Sequence, residues 1–220
     1  ATGLKERIPT WAQDGGMTKM RERFKIPYVR ARILHDMANG IPTYNSDPKD
    51  VMLIGFRKDS LNALYKGKRL DEVARLHGKD ADETVLDLVA ADRSSIPSIY
   101  FLISEENLKR MISQPYVSIG SDAGALSITK EFMDQGAHPR AYGTFARFLG
   151  KYVRDEKLMT LEEGIRRITS QPAGRLGLKK RGKLLEGNFA DVVVFDPAKI
   201  KDYATFESPH QYSTGMVHVF

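Results

Sequence analysis

Apolar residues recur along this chain with two different periods, and the changes of period divide it into elements. Met17, Met20 and Phe24 follow helical spacing, and a second amphipathic segment carries Ile33, Leu34 and Met37. Asn39-Gly40-Ile41-Pro42 reads as the turn that closes this part. Val51-Met52-Leu53-Ile54-Gly55 predicts a short strand after the Asp47-Pro48 turn, and residues 70–77 predict a helix stopped by Gly78. Asp80-Ala81-Asp82-Glu83-Thr84 opens another helix, with acidic residues where the dipole favours them and Val85, Leu86, Leu88 and Val89 facing inward. Ile99-Tyr100-Phe101-Leu102-Ile103 is a continuous apolar run of strand length. Ser104 follows as an N-cap for a helix carrying Leu108, Met111 and Ile112. Val117-Ser118-Ile119, β-branched at both ends and bounded by Pro115 and Gly120, predicts a strand buried on both faces. Residues 99 to 120 are thus expected to form a strand, helix, strand unit of the right-handed parallel crossover kind.

Further on, Phe145, Phe148, Leu149 and Tyr152 form a helical apolar stripe that belongs in a core. Thr160-Leu161-Glu162-Glu163 has the form of a capping box, opening a helix with Ile165 and Ile168 inward. Gln171-Pro172-Ala173 breaks it before a short helical turn ending at Gly177. After Arg181 the pattern changes to short strands separated by Gly and Asp-Pro turns, which predicts a small antiparallel module. Met216-Val217-His218-Val219-Phe220 alternates like a strand and stops without a turn or tail, so an incomplete polypeptide is expected.

Composition narrows the picture. A length of 220 residues suffices for one large domain, or one and a small second module. The absence of cysteine excludes disulfides, thiolate metal sites and a cysteine nucleophile. The net charge of +6 is modest and dispersed. Runs such as Arg166-Arg167 and Lys179-Lys180-Arg181 lack the aromatic interleaving of single-strand binders and read as solvated helix faces, so no nucleic-acid partner is expected. No apolar run approaches the roughly 18 residues of a membrane helix, and the start of the chain has no apolar signal core. A soluble, cytoplasmic protein with no membrane partner is therefore expected.

The chemistry concentrates in two stretches. Asp122 follows the Val117–Ile119 strand in a Gly-rich loop, at the end of the strand where parallel α/β sheets and barrels gather catalytic groups. Spacing alone is equally met, and more simply, by a turn cap. The segment Gly136-Ala137-His138-Pro139-Arg140-Ala141-Tyr142-Gly143-Thr144-Phe145 packs polar groups into a loop entering a helix, the usual setting for substrate contacts. His138 bonding backbone and Arg140 pairing with a surface carboxylate remain open alternatives. The five histidines, His35, His77, His138, His210 and His218, include no His-x-His or His-x-x-x-His pair, so no ready metal-ligand couple exists. Ser121 and Ser127 lack a nearby histidine and a nucleophile elbow, and no Gly-rich nucleotide loop occurs. The residues therefore offer half an active site: one carboxylate and a polar loop.

Ile119-Gly120-Ser121-Asp122, His138-Pro139-Arg140 with Tyr142-Gly143-Thr144-Phe145, and Gly182-Lys183-Leu184-Leu185-Glu186-Gly187 with Ala190-Asp191-Val192-Val193-Val194-Phe195-Asp196 together resemble a known family. It is the carboxyl-terminal portion of the N-acyl-D-amino-acid deacylases, or D-aminoacylases, of the amidohydrolase superfamily. The last pattern is shared across the superfamily, and the His-Pro-Arg and Tyr-Gly-Thr-Phe cluster points to the deacylase branch. The resemblance implies an α/β fold: part of a (β/α)8 barrel over residues 1–178, with an insert near the site over about 35–97, and strands of a flanking β-sandwich over 179–220. It implies zinc-dependent hydrolysis of the amide of N-acyl-D-amino acids, with Asp122 as catalytic base and metal ligand, taking a proton from the zinc-bound water. It also implies substrate contacts from Ser121, His138, Arg140 and Tyr142.

The family's His-x-His pair, bridging cysteine and mid-chain histidines have no counterpart here. Zinc would be held mainly by residues missing from this chain, whose partner would be the N-terminal half of the barrel. The isolated chain is expected to be inactive. Two other readings are a relative of dihydropyrimidinase or dihydroorotase acting on cyclic amides, and a non-catalytic scaffold protein.

Overall fold

Val51, Met52 and Leu53 are apolar without alternation, a pattern that suits a strand covered on both faces, and all three are buried. The computed structural model describes residues 2–40, 46–133 and 136–220. The chain divides between Leu102 and Ile103 into two units. Helices and short strands mix along it in the manner of an α/β protein, and among the described residues no helix is long and apolar enough to cross a membrane.

In the first unit, β1 (Thr2–Gly3), β2 (Val51–Leu53) and β3 (Pro97–Tyr100) form an antiparallel sheet in the order β1-β3-β2. Thr2 lies opposite Ser98, and Val51 opposite Tyr100. Residues of the expected helices share one buried core with its strands. Gly16–Phe24 buries Met20 and Phe24, and Pro27–Ala38 buries Ile33 and Met37. Leu70–His77 stops at Gly78, which takes the left-handed conformation at φ 62°. Ala81–Asp92 is capped by the Asp80 carboxylate accepting the Glu83 N–H at 2.8 Å, and it presents Val85, Leu86, Leu88 and Val89 to the core. Of the Asn39–Pro42 turn, Ile41 and Pro42 lie outside the described residues.

The parallel crossover expected over residues 99–120 does not form among the described residues. Its first strand sits earlier, at Pro97–Tyr100, and both its edges are occupied by antiparallel neighbours, so no third strand can join it. Leu102 and Ile103, expected inside a strand, are 58% and 67% exposed. Val117–Ile119, expected as a doubly buried strand, is half-buried and belongs to no ladder. Propensity marks a segment as suited to a sheet, but a strand needs a partner to exchange hydrogen bonds with.

The second unit is built on helices. Ser104 caps Glu105–Ile112, its hydroxyl accepting the Asn107 N–H at 3.2 Å as expected. The helix Arg140–Arg147 continues as a π-helix over Phe148–Asp155. The wider turn re-phases the apolar stripe: Phe148, Leu149, Tyr152 and Val153 are buried, whereas Phe145, one α-turn earlier, is left 42% exposed. The segment Pro197–Ile200 packs on this helix, with Arg154 Nη1 donating to the carbonyls of Pro197, Ala198 and Ile200. Two glycines permit the approach. A Cβ on Gly150 would lie 2.6 Å from the Ile200 carbonyl oxygen, and one on Gly215, at φ +93°, 2.4 Å from Ile200 Cα. Of the antiparallel strands expected after Arg181, β4 (Val193–Phe195) pairs with β5 (Met216–Val219), with an irregularity between Val194 and Phe195.

Candidate functional site

Asp122 sits in a stretch, residues 117–127, that belongs to no helix or strand. Its own φ is +48°, the left-handed region that Asp and Asn tolerate best among residues with a Cβ. Its side chain is 88% exposed and its Oδ2 lies 2.9 Å from Nη2 of Arg140. The structure thus joins two of the residues singled out in the sequence, across the loop that separates them. The left-handed φ fits the turn reading of Asp122, and the pair itself matches the alternative in which Arg140 meets a surface carboxylate. Ser121, half-buried, lies beside it in the chain.

His138 caps the helix that begins at Arg140. Its Nδ1 accepts the Arg140 N–H at 3.0 Å, satisfying one of the donors that a helix N-terminus leaves free. Accepting at Nδ1 requires that nitrogen to be unprotonated, so the ring is neutral and carries its proton on Nε2. The ring also stands edge-on to Phe206 with centroids 5.3 Å apart. Burial, helped by the neighbouring Arg140 cation, pushes the His138 pKa down from 6.5 to about 4. A depressed histidine pKa means that the unfolded chain binds the proton more readily. The stability contribution is therefore complete above pH 6.5 and is lost as pH falls toward about 4. Unfolding at pH 7 and pH 4.5 should show His138→Gln losing about 1 kcal/mol less than the parent over that interval, after allowance for solvent screening. Parallel losses would refute this.

Tyr142 holds the far side of the loop. Its O–H donates to the Ser127 carbonyl at 3.1 Å, and its ring packs against His210 at 5.7 Å and Tyr212 at 6.0 Å. Tyr212 Oη in turn accepts the Ile128 N–H at 3.2 Å. Burial raises the Tyr142 phenol above its usual pKa, so it acts as a neutral donor. Phe206, His210 and Tyr212 went unmarked in the sequence because the segment that carries them has no periodicity.

Arg167 departs from the solvated helix face expected of the Arg166-Arg167 run: it is 3% exposed, whereas Arg166 is exposed as that reading requires. Both guanidiniums bond the Glu163 carboxylate and main-chain carbonyls ahead of the Asp122 loop. The capping box expected at Thr160 is correspondingly half-formed. Thr160 Oγ1 accepts the Glu163 N–H at 3.3 Å, while the Glu163 carboxylate is drawn to the arginines.

Among the described residues no three His, Cys, Asp or Glu side chains gather where an ion could bind, and Asp122 faces a cation. Hydrolytic zinc needs about three protein ligands, so the described residues do not make a metal site by themselves.

The amidohydrolase family profile matches residues 40–220. D-aminoacylase of Alcaligenes xylosoxydans xylosoxydans is 40% identical over 154 residues, covering 70% of this chain and 29% of that protein. N-acyl-D-glutamate deacylase of the same organism is 38% identical over 155 residues, covering 70% and 29%. A solved structure of N-acyl-D-glutamate deacylase from Bordetella bronchiseptica, complexed with zinc and a phosphonate mimic of the tetrahedral intermediate, matches with a TM-score of 0.63. That match is 30% identical and covers 88% of this chain and 41% of that one. The chain spans less than a third of the length of the curated relatives it matches.

Proposed function

This chain belongs to the amidohydrolase family, and on that premise we propose that it carries one wall of the active site of an N-acyl-D-amino-acid deacylase. The observation that carries this reading is the Asp122–Arg140 pair, which sets an exposed carboxylate beside a cation at the mouth of a polar loop. The relatives named D-aminoacylase and N-acyl-D-glutamate deacylase support the substrate class. The reaction is hydrolysis of the amide of an N-acyl-D-amino acid. Asp122 takes a proton from the attacking water and returns it to the leaving amine. Arg140 is the cation available to the substrate carboxylate, and Ser121, His138 and Tyr142 complete the substrate-facing set. Residues 1–178 are assigned to the hydrolase barrel, with about 35–97 as an insert near the site, and 179–220 to a flanking β-sandwich.

Zinc, present in the Bordetella relative, is assigned to the complete enzyme. Its ligands other than Asp122 would lie outside these 220 residues. The isolated chain is accordingly expected to retain well under one zinc per molecule and to leave N-acetyl-D-amino acids intact. The full polypeptide should hydrolyse them in preference to the L-isomers. Stoichiometric zinc on the isolated chain, or a full polypeptide that opens cyclic amides and ignores linear ones, would overturn the proposal.

A further inference from the structure

The chain leading into the Asp122 loop is held from behind by three arginines. Arg167 Nη1 donates to the carbonyl of Ile112 and, at 2.7 Å, to that of Gln114. Arg166 Nη2 donates to the Pro115 carbonyl at 3.1 Å, and Arg175 Nη2 to that of Tyr116. Glu163 aligns two of these guanidiniums: it takes Arg166 in a two-point pair at 2.7 and 2.8 Å and Arg167 Nε at 2.7 Å. Those hydrogen bonds hold the Glu163 carboxyl at about 2, far below the usual carboxylate range, so it stays ionised. The Gln114 carbonyl also accepts the Val117 N–H at 3.0 Å, which ties the start of the loop to the same anchor.

Burying a guanidinium is costly, and a hydrophobic side chain of similar volume often stabilises a protein more than the ion pair it replaces. What Arg167 provides that a methionine cannot is a set of donors, and they end on the main chain entering the loop. The loop belongs to no strand, so its ends must place it: Tyr142 and Tyr212 at one side, the arginines at the other.

We propose that Glu163, Arg166 and Arg167 are positioning residues for Asp122, the Glu163-aligned guanidiniums setting the carbonyls of residues 112–115 and through them the placement of the carboxylate downstream. The catalytic consequence rests on the deacylase reading; the positioning itself does not. Arg167→Met and Glu163→Gln, made in the full-length polypeptide, test both levels. Amide exchange over residues 114–122 should accelerate about tenfold or more, while exchange over 149–153 stays within about twofold. The kcat should fall about 10- to 100-fold with KM within about threefold. Arg167→Lys, with a single donor group, should recover part of the loss. Unchanged exchange over 114–122, equal acceleration of both stretches, or a loss confined to KM overturns the proposal. Should Arg167→Met fail to fold, Glu163→Gln is read by the same criteria. If Asp122→Asn leaves turnover intact, the deacylase reading falls, and the exchange data alone decide the positioning.

Discussion

Asp122→Asn in the complete polypeptide is expected to lower kcat/KM on an N-acetyl-D-amino acid by about 100- to 10,000-fold, the range typical of removing a general base. The stability of the protein should barely change. Asn is nearly isosteric and tolerates the left-handed conformation that residue 122 adopts at φ +48°. The side chain is 88% exposed, and its pair with Arg140 is the kind of surface contact that contributes about 0–1 kcal/mol. Chemistry and fold are therefore separable at this position. Steady-state kinetics and a thermal melt on the same preparation decide the matter: turnover equal to the parent would remove Asp122 from the reaction.

Gly215→Ala should be a severely damaging single methyl group in the second unit, costing about 2–6 kcal/mol. Two effects add. At φ +93° a residue with a Cβ is strained by about 1–3 kcal/mol. The added carbon would also stand 2.4 Å from Ile200 Cα and 2.5 Å from its nitrogen. Both are backbone atoms, so no rotamer change relieves the contact, and forcing a methyl into a filled site costs about 1–3 kcal/mol. The segment Pro197–Ile200 would have to shift, disturbing the Arg154 bonds to its carbonyls. Urea unfolding measures the loss; a midpoint equal to the parent would mean that this approach is not present in solution.

What could be read in advance had local causes. Ser104, Asp80 and Thr160 each accept an N–H three residues on, and Gly78 takes a conformation that glycine adopts freely, so their signals lie within one helical turn. The buried faces of Gly16–Phe24, Pro27–Ala38 and Ala81–Asp92 followed from periodicity, because a helix presents every third or fourth residue to the same side. The polar cluster at His138–Tyr142, which the structure puts at the start of the helix Arg140–Arg147, and the carboxylate at Asp122 were visible as concentrations of polar groups.

The rest depended on partners distant in sequence. Pro97–Tyr100 pairs with Thr2–Gly3 and with Val51–Leu53, so its place as the middle strand, and the exclusion of a parallel neighbour, are fixed by non-local hydrogen bonds. Arg167 is buried because carbonyls from residues 112 and 114 come to it; in sequence it is one of two adjacent arginines and looks solvated. Phe145 is exposed because the helix widens after it, and no single residue announces a π-turn. The sequence by itself determined the buried faces of several helices, the caps at Asp80, Ser104 and Thr160 and the identity of the candidate groups, since these follow from side-chain type and local spacing. Tertiary structure alone decided that the Asp122 carboxylate meets Arg140 and that the loop before it is held by arginines, because contacts between segments depend on the packing of the whole unit.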